Sequence, residues 1–109
     1  MNWDFLKEMR HFNMDSFIGV LEIEINKVRS WGFNKLQQLK EGSECRGAIF
    51  NVDGNHFSGQ VVVTVNFLDY YEVRFVKGGK IVDEKTDIFV GNLIEVIDEY
   101  VEKIPEYVR

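Results

Sequence analysis

Cysteine and proline are almost absent from this chain of 109 residues, which has one of each, and histidine occurs twice. A single thiol excludes an internal disulfide framework. With one proline, and glycines scattered rather than clustered, no linker or internal repeat divides the chain, so residues 1–109 read as a single domain. No apolar run is longer than Val61 to Val63, far below the roughly 18 to 20 residues of a membrane helix, and no membrane partner is expected. Basic residues are the minority, 13 against 18 acidic ones for a net charge of -5. That balance argues against a surface that neutralises phosphates, so nucleic acid is not expected as a partner. No charged stretch followed by an apolar one opens the sequence, which makes the cytoplasm the expected location. What is plentiful is apolar and aromatic material, 45% and 14% of the residues, enough to exclude disorder and to fill one core.

Phe5, Leu6, Met9 and Phe12 recur at helical spacing, which predicts an amphipathic helix over residues 2–12. Asn13 to Ser16 supply a break with capping residues. Phe17 to Ile25 fits two descriptions, since Leu21, Ile23 and Ile25 alternate as in a strand while Ile18, Leu21, Ile25 and Val28 continue a helical stripe. Leu36 and Leu39 prolong that stripe and Gly42 stands where helices often end, so a helix is predicted over residues 26–41.

The middle of the chain alternates more clearly. Asp53-Gly54 and Gly78-Gly79 are hairpin signals, and they predict strands over residues 45–52, 56–67, 71–77 and 80–86. A two-residue turn at Asp53-Gly54 sets Phe50 opposite Phe57 and Ala48 opposite Gly59. The connection at residues 68–70 must hold an odd number of residues, because only then does Val65 meet Val73 and Val63 meet Phe75 on one apolar face. Closing Gly78-Gly79 sets Val76 opposite Ile81, Arg74 opposite Asp83 and Glu72 opposite Lys85, and leaves Glu84 unexplained. Phe89, Val90, Leu93, Val96, Ile97, Tyr100, Val101 and Ile104 then form a helical stripe over residues 87–104, with Thr86 or Asp87 as cap and Pro105 as stop. The expected fold is α+β and two-layered, a four-stranded antiparallel meander with one face covered by the N-terminal and C-terminal helices.

Chemistry is sparse. Cys45 with His56 or His11 is the available nucleophile and base, but the register separates Cys45 from His56 by roughly 20 Å at about 3.3 Å per residue. Asp53, Asn55 and His56 hold metal-ligand atoms in a spacing that a tight turn equally requires. No glycine-rich phosphate cradle precedes a helix. No catalytic residue, cofactor or metal is therefore assigned.

Two surfaces remain as candidates. The outer sheet face mixes Ile49, Val62, Val76 and Ile81 with Ser58, Gln60, Thr64, Asn66, Glu72, Arg74 and Asp83, a composition that suits protein contact. The last helix gathers Glu95, Glu99, Glu102 and Glu106 at spacings of three or four residues, with Asp98 beside them and Lys103 diluting them.

Leu-Gln-Gln-Leu at 36–39, Asp-Tyr-Tyr-Glu-Val-Arg-Phe-Val-Lys at 69–77 and Phe-Val-Gly-Asn-Leu-Ile-Glu-Val-Ile at 89–97 occur in an order that resembles a group of small uncharacterised proteins encoded by phages and prophages. The resemblance covers residues 36–101. It implies a strand-turn-strand-helix unit and a mobile-element origin, and no activity.

The expected function is therefore a non-enzymatic cytoplasmic protein that binds another protein or a second copy of itself. The residues expected to carry it are Thr64, Glu72, Arg74, Val76, Ile81 and Asp83 on the sheet, with Glu95, Glu99 and Glu102 on the helix. One alternative is a small-ligand binder or enzyme with a pocket between sheet and helices, served by Glu84, Tyr71 and Tyr100. Another is a structural homodimer joined through the outer face or through the strand edge at residues 45–52.

Overall fold

The computed structural model describes residues 3–102. The chain begins with a short 3-10 turn, Asp4–Glu8, and enters α1 (Met14–Ile23) and α2 (Ile25–Ser30). Five strands follow, β1 (Asn34–Glu41), β2 (Glu44–Asp53), β3 (Ser58–Val65), β4 (Tyr71–Lys77) and β5 (Lys80–Ile88), and α3 (Leu93–Val101) closes the described fold. The strands form one antiparallel sheet in the order β1-β2-β3-β4-β5. The α+β antiparallel meander is as expected, with five strands in place of four.

The additional strand is β1, which occupies the second half of the helix predicted over 26–41. Residues three apart share a helix face but lie on opposite faces of a strand. Leu36 packs into the cluster beneath the helices, whereas Leu39 packs into a separate cluster on the opposite face. A spacing that looks like one helical stripe thus serves two cores. Gly42, at a φ of +64°, turns a hairpin between Glu41 and Glu44 and ends no helix. The ambiguous stretch 17–25 is helical: Asn13 caps α1 by accepting from the Ser16 N–H at 3.0 Å, and the chain breaks at Glu24 before α2. Its strand-like alternation arises because Ile23 and Ile25 point outward, 81% and 38% exposed.

The N-terminal helix predicted over 2–12 is likewise divided. After the 3-10 turn, Met9 bridges to Asn66, Arg10 N–H donates to the Val65 carbonyl and Phe12 N–H to the Cys45 carbonyl, so this part is extended. Its apolar residues separate accordingly. Phe5 lies against the outer face with Trp3, while Phe12 is buried in the inner core. The N-terminal segment therefore covers the face opposite to the one expected.

Across the β2–β3 and β3–β4 connections register departs from expectation by even steps, which preserves each residue's face. Phe50 pairs with Val61 and Asp53 with Ser58, four residues beyond the expected partner, because residues 54–57 form a longer connection. That connection meets the end of α3: His56 N–H donates to the Val101 carbonyl at 2.9 Å, and Asn55 N–H to Glu102 Oε2 at 2.7 Å. It satisfies a carbonyl that a helix terminus leaves open. The next connection is odd as required, but Val65 pairs with Tyr71 and Val63 with Val73. Asn66 organises it, its Oδ1 accepting from the Leu68 and Tyr70 N–H groups.

Between β4 and β5 the pair Val76–Ile81 stands as expected, then an extra residue at Val82 shifts the ladder so that Phe75 meets Asp83, Arg74 meets Glu84 and Val73 meets Lys85. The expected pairs Arg74–Asp83 and Glu72–Lys85 are corrected by this bulge. Glu84 finds its place as the partner of Arg74, Nε to Oε2 at 3.2 Å. A second shift lets β5 run on to pair Ile88 with Tyr71, with Asp87 at a φ of +58°. The last helix consequently starts at Leu93 after a 3-10 turn at Val90–Asn92, and neither Thr86 nor Asp87 caps it. The expected continuation to Ile104 and Pro105 lies outside the described residues.

The inner face of the sheet, with Phe50, Val61, Val63, Val73 and Phe75, meets Phe17, Trp31, Leu93, Ile97 and Val101 from the helices in one buried cluster. On the outer face Ile49, Val62 and Val76 form a smaller cluster under Trp3, Phe5 and Leu39.

Candidate functional site

The residues singled out from the sequence fall into three environments. Thr64, Arg74 and Val76 are buried, at 0%, 8% and 2% exposure, so the outer sheet face is not the open surface expected. Phe5 is the reason, its ring 4.2 Å from the Arg74 guanidinium. Arg74 also contacts Glu72 at 2.9 Å and Thr64 Oγ1 at 3.3 Å, and Glu72 accepts from Asn66 Nδ2 at 3.0 Å. A buried cation with two carboxylates and a π-face is satisfied within the chain.

Ile81 and Asp83 lie on the edge strand β5. Ile81 is 40% exposed. Asp83 belongs to the helix side, where it accepts from the Tyr100 hydroxyl and lies 3.9 Å from Lys85 Nζ. Burial, reinforced by the Asp83 charge and hydrogen bond, raises the Tyr100 phenol above its ordinary value. A cleft of about 630 Å³ opens here between β5 and α3, lined by Lys85, Thr86, Asp87, Asn92, Glu99 and Tyr100 among others.

The acidic residues of α3 do not act as one group. Glu95 is exposed, Asp98 accepts from the Trp31 indole, and Glu102 is engaged by the Asn55 N–H. Glu106 lies outside the described residues.

The thiol of Cys45 donates to the Gly47 carbonyl at 3.4 Å, and His11 faces Glu44 at 3.6 Å through Nδ1. The nucleophile and its nearer candidate base thus have separate partners. Among the described residues no cluster of His, Cys, Asp or Glu could hold a metal ion, and no helix is long and apolar enough to cross a membrane. The strand edge expected at residues 45–52 lies inside the sheet, covered by β1.

The sequence reading overlooked the apolar end of the molecule. Phe67 and Leu68, on the β3–β4 connection, are 68% and 76% exposed, and Phe89 and Val90, between β5 and α3, are 61% and 52% exposed. The two segments meet where the Tyr70 and Phe89 rings pack edge to face, 5.3 Å between centroids. Beyond Val90 a groove of about 280 Å³ continues between α1 and α3, walled by Val20, Ile23, Val90 and Ile94 and rimmed by Glu24, Lys27 and Glu95. Taking roughly 150–200 Å² for each fully exposed side chain, the four residues present on the order of 450 Å² of apolar surface. That lies within the roughly 300–600 Å² of the largest patch on a typical monomer, which is often functional, and is about half of the roughly 800 Å² per partner in a stable complex. The signal available in the sequence was Phe67-Leu68 between two strands, where turn-forming polar residues are the rule.

Comparison of the chain with protein-family models, curated proteins and solved structures finds no match in any of the three.

Proposed function

We propose that the protein is a non-enzymatic binding module that docks an apolar segment of another protein on the end formed by Phe67, Leu68, Phe89 and Val90. The observation that supports this reading is the exposure of these four large apolar side chains on two connections held together by the Tyr70–Phe89 contact. Leaving such side chains in water forgoes about 1.5–3 kcal/mol each relative to burying them, a cost that a partner relieves. The limited area favours transient binding of a short segment over a permanent complex. Glu95, exposed at the rim of the adjoining groove, favours a basic residue in that segment. The phage or prophage origin implied by residues 36–101 belongs to this proposal, and the gene neighbourhood checks it.

Selection of binders from a random peptide library tests the docking surface. Peptides that use this end lose at least about tenfold in affinity, near 1.4 kcal/mol, for Leu68→Ser and for Phe89→Ser, and keep it for Ile81→Ser on the edge strand. Selected peptides that bind all three variants like the parent protein contradict the assignment.

A second reading has one observation in its favour, the cleft between β5 and α3 with the Tyr100 hydroxyl and Lys85 at its wall. A small polar ligand there would shift the amide resonances of Asn92 and Tyr100, and a metabolite screen by NMR that leaves both unmoved removes it.

A further inference from the structure

The outer face of the sheet is covered by a segment attached to it chiefly through side chains. Asp4–Glu8 is a 3-10 turn of five residues, and the backbone bonds at its ends close within it, Leu6 N–H to the Trp3 carbonyl and Met9 N–H to the Leu6 carbonyl. Among the described residues, the first backbone bond from this part of the chain to the sheet comes later, from Arg10 N–H to the Val65 carbonyl at 2.9 Å, next to the Met9–Asn66 bridge. Past that point Phe12 is anchored in the inner core against the Phe17 ring. Before it, Trp3 and Phe5 rest on Ile49, Val62 and Val76, and Phe5 on the Arg74 guanidinium. Met9 is thus a boundary between a pinned segment and a laid-on one.

The floor beneath the segment differs from a sealed core. It contains three buried apolar residues, against nineteen in the cluster on the opposite face. Its cation keeps Glu72, Glu84 and Thr64 as partners whether or not Phe5 is present. Lifting the segment wets Trp3, Phe5 and the buried Leu6 together with these three floor residues, a smaller apolar area than unfolding the opposite cluster exposes, and it strands no buried charge. Sub-global opening of an element with few backbone anchors follows from the same balance.

We propose that residues 3–8 form a strap, hinged at Met9, that opens while the rest of the fold stays intact and uncovers a latent surface made of Ile49, Val62, Val76 and the Arg74 guanidinium. The strap is independent of the apolar end of the molecule, and either assignment stands without the other.

Val62 and Val63 provide the test, since they are adjacent on β3, both 0% exposed, and face opposite sides of the sheet. Val62→Cys and Val63→Cys are each made with Cys45→Ser, so that one thiol is present, and labelled with Ellman's reagent at low urea concentrations. Strap opening makes Val62→Cys react at least about tenfold faster than Val63→Cys, with a rate nearly flat in urea, whereas Val63→Cys waits for global unfolding and accelerates steeply. Adding Phe5→Ala speeds Val62→Cys with its rate still nearly flat in urea, while the Val63→Cys rate keeps its steep urea dependence. Equal rates with the same steep urea dependence overturn the proposal, and so does a Val62→Cys rate that Phe5→Ala does not alter. If circular dichroism shows either cysteine variant unfolded, Val76→Cys and Val61→Cys report the same two faces.

Discussion

The indole Nε1 of Trp31 donates a hydrogen bond to Asp98 Oδ1 at 2.9 Å, tying the end of α2 to the middle of α3. Trp31 is fully buried and stacks on Phe50 from the sheet, so this one side chain joins both helices to the inner face. Asp98→Ala leaves a buried donor unpaired and is expected to cost about 1–3 kcal/mol in urea denaturation. Asp98→Asn keeps an acceptor and loses less. Wild-type stability for Asp98→Ala would show that the bond contributes nothing.

The acidic residues of α3 separate into structural and surface groups. Glu102 accepts from the Asn55 N–H, so Glu102→Ala should destabilise the protein by about 1 kcal/mol. Glu95 is exposed, and Glu95→Ala should stay within about 0.5 kcal/mol of wild type. Denaturation midpoints that move equally for both would contradict this division.

Gly54 is a site of close approach between the β2–β3 connection and α3. A Cβ there would meet the Val101 carbonyl, with Val101 Cγ1 at 2.6 Å and Glu102 Oε2 at 2.7 Å. Gly54→Ala must push the connection off the helix end, at an expected cost of about 1–3 kcal/mol. Gly91→Ala, where nothing lies within 4 Å, is the control and should be nearly neutral.

Stability should fall at alkaline pH. Burial raises the phenols of Tyr71 and Tyr100 above the ordinary 10.0, with Asp83 adding to the effect at Tyr100 and Arg10 opposing it at Tyr71. Above that value the unfolded chain has released protons that the folded chain still holds, so the unfolding free energy decreases as pH rises. Below it the two states hold the same phenolic protons and the effect is absent. Denaturation of the Tyr71→Phe, Tyr100→Phe double variant from about pH 9 to 11 should show a shallower loss than wild type. Identical slopes would rule out these phenols as the source.

The sequence made the central sheet legible because alternation determines faces whatever the loop lengths: Val61, Val63, Val73 and Phe75 lie on the inner face although all three predicted registers shifted. Loop length escaped because residues 54–57 are shaped by the end of α3, a contact remote in sequence. The stripes Phe5-Leu6-Met9-Phe12 and Leu36-Leu39 misled for one reason, that a chain serving both faces of a sheet divides a helical spacing between two cores, Phe5 from Phe12 and Leu39 from Leu36. Arg74 was correctly placed on the outer face, but its cover could not be seen without the fold of Trp3 and Phe5. The exposed quartet was hidden because its two halves, 67–68 and 89–90, meet only through Tyr70 and Phe89.

The most direct test of the binding assignment is site-specific photocrosslinking in extract of the source cell, with benzoylphenylalanine in place of Phe89. The account predicts a discrete adduct with another protein that disappears when Leu68→Ser and Val90→Ser are added, and no such adduct when the probe replaces Lys80 at the opposite hairpin. Adducts that form equally from both positions, or that survive the two serine substitutions, would contradict it.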